Sequence, residues 1–231
     1  MKRVMIAIMG LCVMGTANAV LSITNGTFEI NAPPVNGDSA DVEGWYDYDG
    51  GGFWENAWCI NRVVPNGTAN LALSAWAAND SVDGAGQNGY VYQSIGTAGG
   101  ASSLMLAFEC GSFLDADGPK DLGITFSILE SDGSFVPAAN TDILSSIGSG
   151  VTLIDQISKM QIDVAIGQTI NEVWTFNLSS AGSGELFLRI NNYDSPNQDE
   201  AWMFVDNIQI VPEPTTLGLL GIGALALRRR K

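Results

Sequence analysis

Short segments in which apolar and polar residues alternate recur along the chain, separated by turns rich in Gly, Asn and Asp. A period of two places alternate side chains on opposite faces of a β-strand. Residues that share one face in this way are Trp174, Phe176 and Leu178, then Leu104, Leu106 and Phe108, and finally Leu186, Leu188 and Ile190. The pattern predicts nine strands, at residues 26–30, 70–75, 90–95, 103–109, 123–129, 161–166, 173–178, 185–191 and 203–211.

Two other segments, 141–147 and 153–160, have apolar residues spaced by three to four and predict short helices. Many short strands joined by polar connections are typical of an all-β sandwich, most often of the jelly-roll type. We therefore predict that residues 20–210 form an all-β, jelly-roll-like β-sandwich.

The first nineteen residues do not follow the strand pattern. Two basic residues precede an apolar run over residues 4–13, and Ala17 and Ala19 form an A-x-A cleavage site. We predict that residues 1–19 are a signal peptide, cleaved after Ala19, that delivers the sandwich to the export machinery.

The last segment, 211–231, consists of a Pro-Glu-Pro triplet, an uncharged run and a basic terminus. Proline cannot continue a β ladder, so Pro212 and Pro214 should end the last strand. As a transmembrane helix the uncharged run 215–227 would cover about 20 Å of a hydrocarbon core of roughly 30 Å. The cations at 228–231 can reach the headgroups, and they favour a cytoplasmic end. The alternative for so short an apolar run is a buried core helix.

This tail resembles the PEP-CTERM sorting signal of bacterial exported proteins, because all three blocks occur in the same order. The residues that match its motif are Pro212, Glu213, Pro214, Arg228, Arg229 and Arg230. In that family a membrane enzyme, exosortase, recognises the motif and processes the tail. The resemblance implies a protein that is tethered to the inner membrane before processing and then lies at the cell surface or outside the cell.

Charge and composition exclude several classes of function. The body, residues 20–210, has four basic and 24 acidic residues, a net charge of −20, which repels phosphate backbones and excludes nucleic acid as a partner. The chain has no histidine, which removes Ser-His-Asp catalysis, Cys-His catalysis and His-ligated zinc. A glycosidase needs only two carboxylates, but a small sandwich has few elements from which to build a deep cleft. We therefore predict that the protein is not an enzyme.

Two cysteines, Cys59 and Cys110, remain in the body. In an oxidising compartment an even pair predicts one disulfide, which would stabilise the fold by about 4 kcal/mol because it closes a long loop. The alternative is a pair of buried free thiols.

Aromatic and acidic residues alternate around a triple glycine between residues 44 and 60. Flat rings that stack on sugar C–H faces, beside carboxylates and amides that bind hydroxyl groups, are typical of sugar recognition. The candidate ligand-binding residues are Trp45, Tyr46, Tyr48, Trp54, Trp58 and, from a second acidic and amide-rich loop, Tyr193. The alternative is that some of these rings fill the core.

The sequence N-G-T-F-E stands at 25–29, V-Y-Q-S-I at 91–95 and D-N-I-Q-I at 206–210. These three segments resemble the calcium-stabilised jelly rolls of many bacterial carbohydrate-binding modules. In that family the early Glu and the late Asp help to hold a structural Ca²⁺ where the terminal strands meet. The resemblance thus implies that Glu29 and Asp206 hold calcium, a cation that takes oxygen ligands.

These observations support one main hypothesis and one alternative. The main hypothesis is an exported, exosortase-sorted cell-surface or extracellular-matrix protein whose sandwich binds polysaccharide. The alternative is a purely structural component of the surface or exopolysaccharide matrix, without a specific ligand. A binding module should expose three or more of the candidate aromatic residues on one face, whereas a structural protein should bury them singly.

Overall fold

The computed structural model describes ten stretches of the chain: residues 21–30, 37–39, 42–47, 57–61, 70–74, 90–112, 122–139, 141–162, 169–194 and 202–211. These stretches contain one 3-10 helix, Ile143–Ser146, and eleven strands: β1 (Gly37–Ser39), β2 (Tyr46–Asp47), β3 (Ala57–Asn61), β4 (Asn70–Ser74), β5 (Tyr90–Thr97), β6 (Ser103–Ser112), β7 (Leu122–Ser131), β8 (Val151–Ile162), β9 (Thr169–Asn177), β10 (Glu185–Asp194) and β11 (Trp202–Val211).

The strands form two antiparallel sheets. The first sheet has the order β1-β3-β4-β11-β6-β9, and the second has the order β2-β5-β10-β7-β8. Four pairs are nested along the chain: β7 with β8, β6 with β9, β5 with β10, and β4 with β11. A long hairpin that is rolled up into two packed sheets produces this nesting, which defines a jelly roll. The predicted all-β, jelly-roll fold is therefore confirmed.

The inner faces of the two sheets pack against each other and form the main core. The residue triplets that share a face in the sequence are buried there, with the rings of Phe108 and Trp174 among them. Phe126 of the second sheet stacks on Phe108 of the first at 4.5 Å between ring centroids, and Trp174 meets Phe126 edge-on at 5.2 Å. These large rings account for much of the apolar burial that holds the sheets together.

The outer face of the second sheet is covered by the connection between β7 and β8, residues 132–139 and 141–150, which we call the strap. Phe135, Ile143 and Leu144 of the strap pack on Tyr92 and Phe187 of the sheet in a second, smaller apolar cluster. As a result, the second sheet is buried on both of its faces over much of its area.

The predicted strand at 26–30 is wrong, because this segment forms turns beside β11. Asn25 and Phe28 have φ angles of 50° and 54°, which are incompatible with a strand. The carbonyl of Gly26 accepts a hydrogen bond from the Ile208 amide at 2.8 Å. A Cβ atom at Gly26 would lie 2.1 Å from the carbonyl oxygen of Ile208, so this close approach requires glycine.

The predicted helix at 153–160 is also wrong, because these residues belong to β8. Register shifts by one residue where Ile128 pairs with Asp155 and Leu129 with Leu153, which leaves Ile154 as a β-bulge. A bulge interrupts the period of two, so Ile154 and Ile157 both pack against the core and their spacing imitates a helix.

Two further predictions agree with the structure in part. The helix predicted at 141–147 is a 3-10 helix over Ile143–Ser146, capped by Asp142, whose Oδ1 accepts from the Leu144 amide. Of the strand predicted at 161–166, residues 161 and 162 end β8, and the remainder lies outside the described residues.

The predicted disulfide between Cys59 and Cys110 is wrong. Strand register places Cys59, Leu71, Val205 and Cys110 in one row across β3, β4, β11 and β6. Three interstrand spacings separate the two cysteine Cα atoms by about 14 Å, whereas a disulfide requires less than ~7 Å. Cys110 is a free, buried thiol, and burial raises its pKa to about 12, so it is protonated at neutral pH.

Candidate functional site

Trp45, the first of the candidate ligand-binding aromatics, belongs to the core. It is 7% exposed, packs on Phe28 at 5.8 Å between ring centroids, and donates its indole N–H to the Asn25 carbonyl at 3.4 Å. The prediction that Trp45 lies on a ligand surface is therefore wrong.

Tyr46, the next residue, points the other way and is 38% exposed. It lies opposite Tyr92 in β5, and the two rings stack at 5.2 Å with 23° between their planes. The structure thus places one predicted aromatic on the outer face of the second sheet, with a rigid ring beneath it.

The other predicted aromatics are described less fully. Tyr48 and Trp54 lie outside the described residues, and only the backbone is described for Trp58 and Tyr193. Trp58 is in β3 of the first sheet and Tyr193 in β10 of the second. The backbone therefore places Trp58 in a different sheet from Tyr46 and Tyr193.

Polar and aromatic side chains cross the outer face of the second sheet in two rows, which we call the polar rows. Directly paired residues of antiparallel strands point to the same face, so the register defines which side chains are neighbours. The first row is Tyr46, Tyr92, Arg189, Ser127 and Gln156, and the second is Tyr90, Asn191, Thr125 and Ser158.

Arg189 lies at the centre of the polar rows and is only 5% exposed. Its Nε and Nη2 donate to the two carboxylate oxygens of Asp142 in the strap, at 2.8 and 2.7 Å. Its Nη1 donates to Asn191 Oδ1 at 2.6 Å, and its guanidinium carbon lies 4.8 Å from the centre of the Tyr90 ring. This two-point ion pair compensates the cost of burying the charge.

Hydroxyl groups continue the polar rows toward β8. The hydroxyls of Thr125 and Ser158 are 2.8 Å apart, and Ser127 donates to Gln156 Oε1 at 3.2 Å. Thr125 and Ser127 are buried, whereas Gln156 and Ser158 are exposed. The rows therefore run from a buried polar floor to an accessible edge.

Tyr92 fixes the strap on the other side of Arg189. Its hydroxyl donates to the Ala138 carbonyl at 2.8 Å and accepts from the Ala138 amide at 3.1 Å. Burial raises the pKa of Tyr92 and outweighs the Ala138 hydrogen bond, which lowers it, and the nearby Tyr46 and Asp142 add to the rise, so the neutral phenol is retained.

The two residues of the predicted calcium site lie on different segments. Asp206 is 1% exposed, and its Oδ1 accepts from the Asn207 amide at 2.7 Å, in a bulge where Asn207 has a φ of 52°. Glu29 is exposed. The described part of the chain contains no group of three or more His, Cys, Asp or Glu residues that could hold a metal. The calcium site remains a prediction.

The sequence did not point to Arg189, Asp142 or the strap as parts of a site. A weak signal was present, since Arg189 is the only basic residue in the alternating strand that contains Leu188 and Ile190. The partnership with Asp142 depends on how the strap crosses the sheet, which a separation of 47 residues does not reveal.

The targeting residues fall almost entirely outside the described part of the chain. These are the signal cleavage residues Ala17 and Ala19, the run 215–227, and the sorting residues Pro212, Glu213, Pro214, Arg228, Arg229 and Arg230. None of the helices in the described stretches is long and apolar enough to cross a membrane.

The fold is similar to solved structures of low sequence identity. The enzymatically active domain of bacteriophage CBA120 tailspike protein 4 matches with 13% identity and a TM-score of 0.49, over 83% of this chain and 22% of that chain. This protein thus spans about a fifth of the tailspike chain.

Two other structures match over nearly their whole length. The K3 cleaved adhesin domain of Lys-gingipain from Porphyromonas gingivalis has 10% identity and a TM-score of 0.46, over 84% of this chain and 99% of that one. The C-terminal family 22 carbohydrate-binding module of Clostridium thermocellum Xyn10B has 13% identity and a TM-score of 0.42, over 79% and 99%.

None of the curated proteins compared with the chain matches it. A family model does match its C-terminal end: residues 211–231 are a PEP-CTERM protein-sorting motif, as the Pro-Glu-Pro triplet and the basic terminus predicted. The chain therefore carries the signal of an exported, membrane-passing protein that is sorted to the cell surface.

Proposed function

We propose that this exported protein binds polysaccharide through the exposed ends of the polar rows, on the outer face of its second sheet. The observation that carries the proposal is the pair of accessible ends of these rows, with Tyr46 exposed at one end and Gln156 and Ser158 exposed at the other. Arg189 is 5% exposed, Thr125 6% and Ser127 0%. These three side chains are buried, so they position the more exposed residues bonded to them and do not contact a ligand themselves.

The polar rows are fixed in position before any ligand arrives. Asp142 holds Arg189 from the strap and Asn191 holds it from the sheet, so the guanidinium has little freedom to lose. A preordered site pays less conformational entropy when it binds. The exposed Gln156 amide and Ser158 hydroxyl are groups that pair with the hydroxyls of a sugar.

Tyr46 supplies the apolar contact that sugar rings require. Its ring is exposed at the β2 edge of the sheet and rests on Tyr92. From Tyr46 to Gln156 the first row crosses five strands, which is about 19 Å at ~4.8 Å per interstrand spacing. A ligand that contacts both exposed ends must therefore be an extended chain of several sugar rings and not a single sugar.

A structural role without a ligand is the second candidate, and one observation favours it. Trp45, one of the candidate ligand-binding aromatics, is buried in the core, as expected of a protein that recognises nothing. The two candidates differ in whether any polysaccharide is retained.

Affinity electrophoresis in gels that contain neutral or acidic polysaccharides tests the proposal. We expect retardation of the wild-type protein by at least one polymer, without release of new reducing ends, because we propose binding and not hydrolysis. Tyr46→Ala should raise the dissociation constant about fivefold, the equivalent of ~1 kcal/mol for an aromatic contact.

The matched control is Val173→Ala, which removes an apolar side chain that is 57% exposed on β9 of the first sheet. Its retardation should equal that of the wild type. If no polymer retards a correctly folded wild-type protein, the binding proposal fails and the structural role is favoured.

We also propose that Asp206, with Glu29, holds a structural Ca²⁺. Calcium takes carboxylate oxygens, and the Asp206 carboxylate is buried at a bulge where the Ile208 amide donates to the Gly26 carbonyl, three residues before Glu29. EDTA should lower the melting temperature, and calcium at about 100 times its dissociation constant should restore ~2.7 kcal/mol. Asp206→Asn should abolish this response. A melting temperature that EDTA does not change would contradict the proposal.

A further inference from the structure

The sorting motif begins inside the folded domain. Val211 is the last residue of β11 and the first residue of the motif, and it pairs with Met105 of β6. β11 lies within the first sheet, between β4 and β6. There is therefore no linker between the sandwich and the segment that the sorting enzyme must bind.

The distance between the sandwich and the uncharged run is short. Only residues 212–214 separate Val211 from Thr215, where that run begins. An extended chain advances at most ~3.6 Å per residue, so the Cα atoms of Val211 and Thr215 are at most about 14 Å apart. When the run is held in the membrane, the adjacent end of the sandwich must lie close to whatever holds it.

Strand register identifies this end of the sandwich. Met105 is near the start of β6, which follows the turn 98–102, and the Leu178 amide donates to the Ser102 carbonyl at 2.9 Å. The turn 178–184 is thereby joined to the turn 98–102. We call these two turns, which lie beside the exit of β11, the short-turn end.

The short-turn end is held rigidly. The Glu130 carboxylate accepts from the amides of Gly182 and Gly184 at 2.9 and 2.7 Å. A Cβ atom at Gly184 would lie 2.3 Å from the Ser131 carbonyl oxygen, so the turn packs directly on β7. The turn 178–184 is therefore fixed against β7.

The composition of the short-turn end favours a protein partner over lipid. Residues 99–102 and 179–184 are all Gly, Ala or Ser. Short side chains allow another protein surface to approach closely, whereas attraction to anionic lipid headgroups requires Lys or Arg, which these segments lack.

We propose that the short-turn end is the surface that contacts the membrane-embedded sorting enzyme during processing of the tail. The enzyme then acts on the folded sandwich while that sandwich rests against it. The surface must stay free of bulky side chains, because the missing linker leaves no other way for the motif to reach the enzyme.

Pulse–chase analysis of the full chain in cells that contain the enzyme tests this proposal. Ser180 is exposed in the turn 178–184, and Ser180→Trp should slow processing about tenfold, because a bulky ring would hold the two surfaces apart. The matched control is Asn171→Trp, near the opposite end of β9, which is also exposed. It should be processed at the wild-type rate.

A linker provides the second arm of the test. Ten Gly and Ser residues inserted between Val211 and Pro212 add a root-mean-square reach of about 17 Å and should restore Ser180→Trp to the rate of the wild type. Wild-type processing of Ser180→Trp without the linker would overturn the proposal. Slow processing that the linker does not rescue would also overturn it, because the defect would then lie in folding or export.

Cross-linking identifies the partner. A photoreactive residue at position 180 should form a protein–protein adduct with the sorting enzyme, and only in the unprocessed form. Adducts with lipid alone would overturn the proposal in favour of a membrane contact. None of these measurements depends on polysaccharide binding.

Discussion

The two faces of the second sheet are both buried, but by different interactions. In β10, Leu188 and Ile190 point into the main core among aliphatic and aromatic side chains, whereas Arg189 points outward and is buried by the strap. The inner face is held by apolar burial, which depends little on exact geometry. The outer face is held by a few directed hydrogen bonds, each of which requires its partner in place.

This difference predicts that contacts on the two faces stabilise different parts of the molecule. Loss of an inner contact should destabilise the whole sandwich, because both sheets share that core. Loss of an outer contact should release the strap and leave most of the sandwich folded, because local opening starts where few apolar contacts must be broken.

The largest effect is expected on the inner face, from Phe126→Ala. The ring is fully buried and contacts Phe108 and Trp174, so its removal should lower the free energy of unfolding by about 3–5 kcal/mol. Phe135→Ala removes a half-buried ring of the strap and should cost about 1–2 kcal/mol. Urea denaturation measures both, and equal losses would contradict the distinction between the faces.

The next effect is expected from Asp142→Asn, which removes the charge that faces Arg189. A buried guanidinium would lose its carboxylate, and since Asp142 is partly exposed we expect a loss of about 2–3 kcal/mol. Asp132→Asn makes the same change of charge at an exposed site of the strap and should leave the urea midpoint unchanged.

Hydrogen exchange locates the change caused by Asp142→Asn. Amides of the strap should exchange faster while those of β6 and β9 keep their protection. Uniform loss of protection throughout the sandwich would show that the strap is part of the main cooperative unit.

A smaller effect is expected from Tyr92→Phe, which removes the hydroxyl that holds Ala138. The expected loss is about 1 kcal/mol at neutral pH. The pKa of Tyr92 in the folded protein is raised above its ordinary value of 10.0. The stability that the neutral phenol contributes is therefore complete below pH 10 and is lost as the pH rises through the folded pKa. The wild type should therefore lose more stability than Tyr92→Phe above pH 10, measured by urea titration at each pH. Parallel pH profiles would contradict this.

The sequence predicted the inner face well and the outer face poorly. In β6, β9 and β10, alternation alone identified the buried residues, because apolar residues occupy successive positions on one face over much of each strand. The short strands β1 and β2 were not predicted, since two or three residues cannot show a period.

Trp45 and Tyr46 show why the candidate site could not be predicted in the same way. As neighbours in the chain they must point to opposite faces, but the sequence does not say which of them faces the core. The contacts of Asp142 with Arg189 and of Tyr92 with Ala138 depend on the path of the strap, which no local pattern determines.

The smallest effect is expected from reduction, and it tests whether the inner face needs a covalent link. The register places Cys59 and Cys110 about 14 Å apart, so dithiothreitol should leave the urea midpoint unchanged. A disulfide that closes so long a loop would instead contribute about 4 kcal/mol. Cys110 should also resist thiol reagents until urea unfolds the sheet, because burial keeps its thiol protonated. A midpoint that falls on reduction would mean that β3 is not three strands away from β6, and apolar packing would then not be sufficient to hold the inner face.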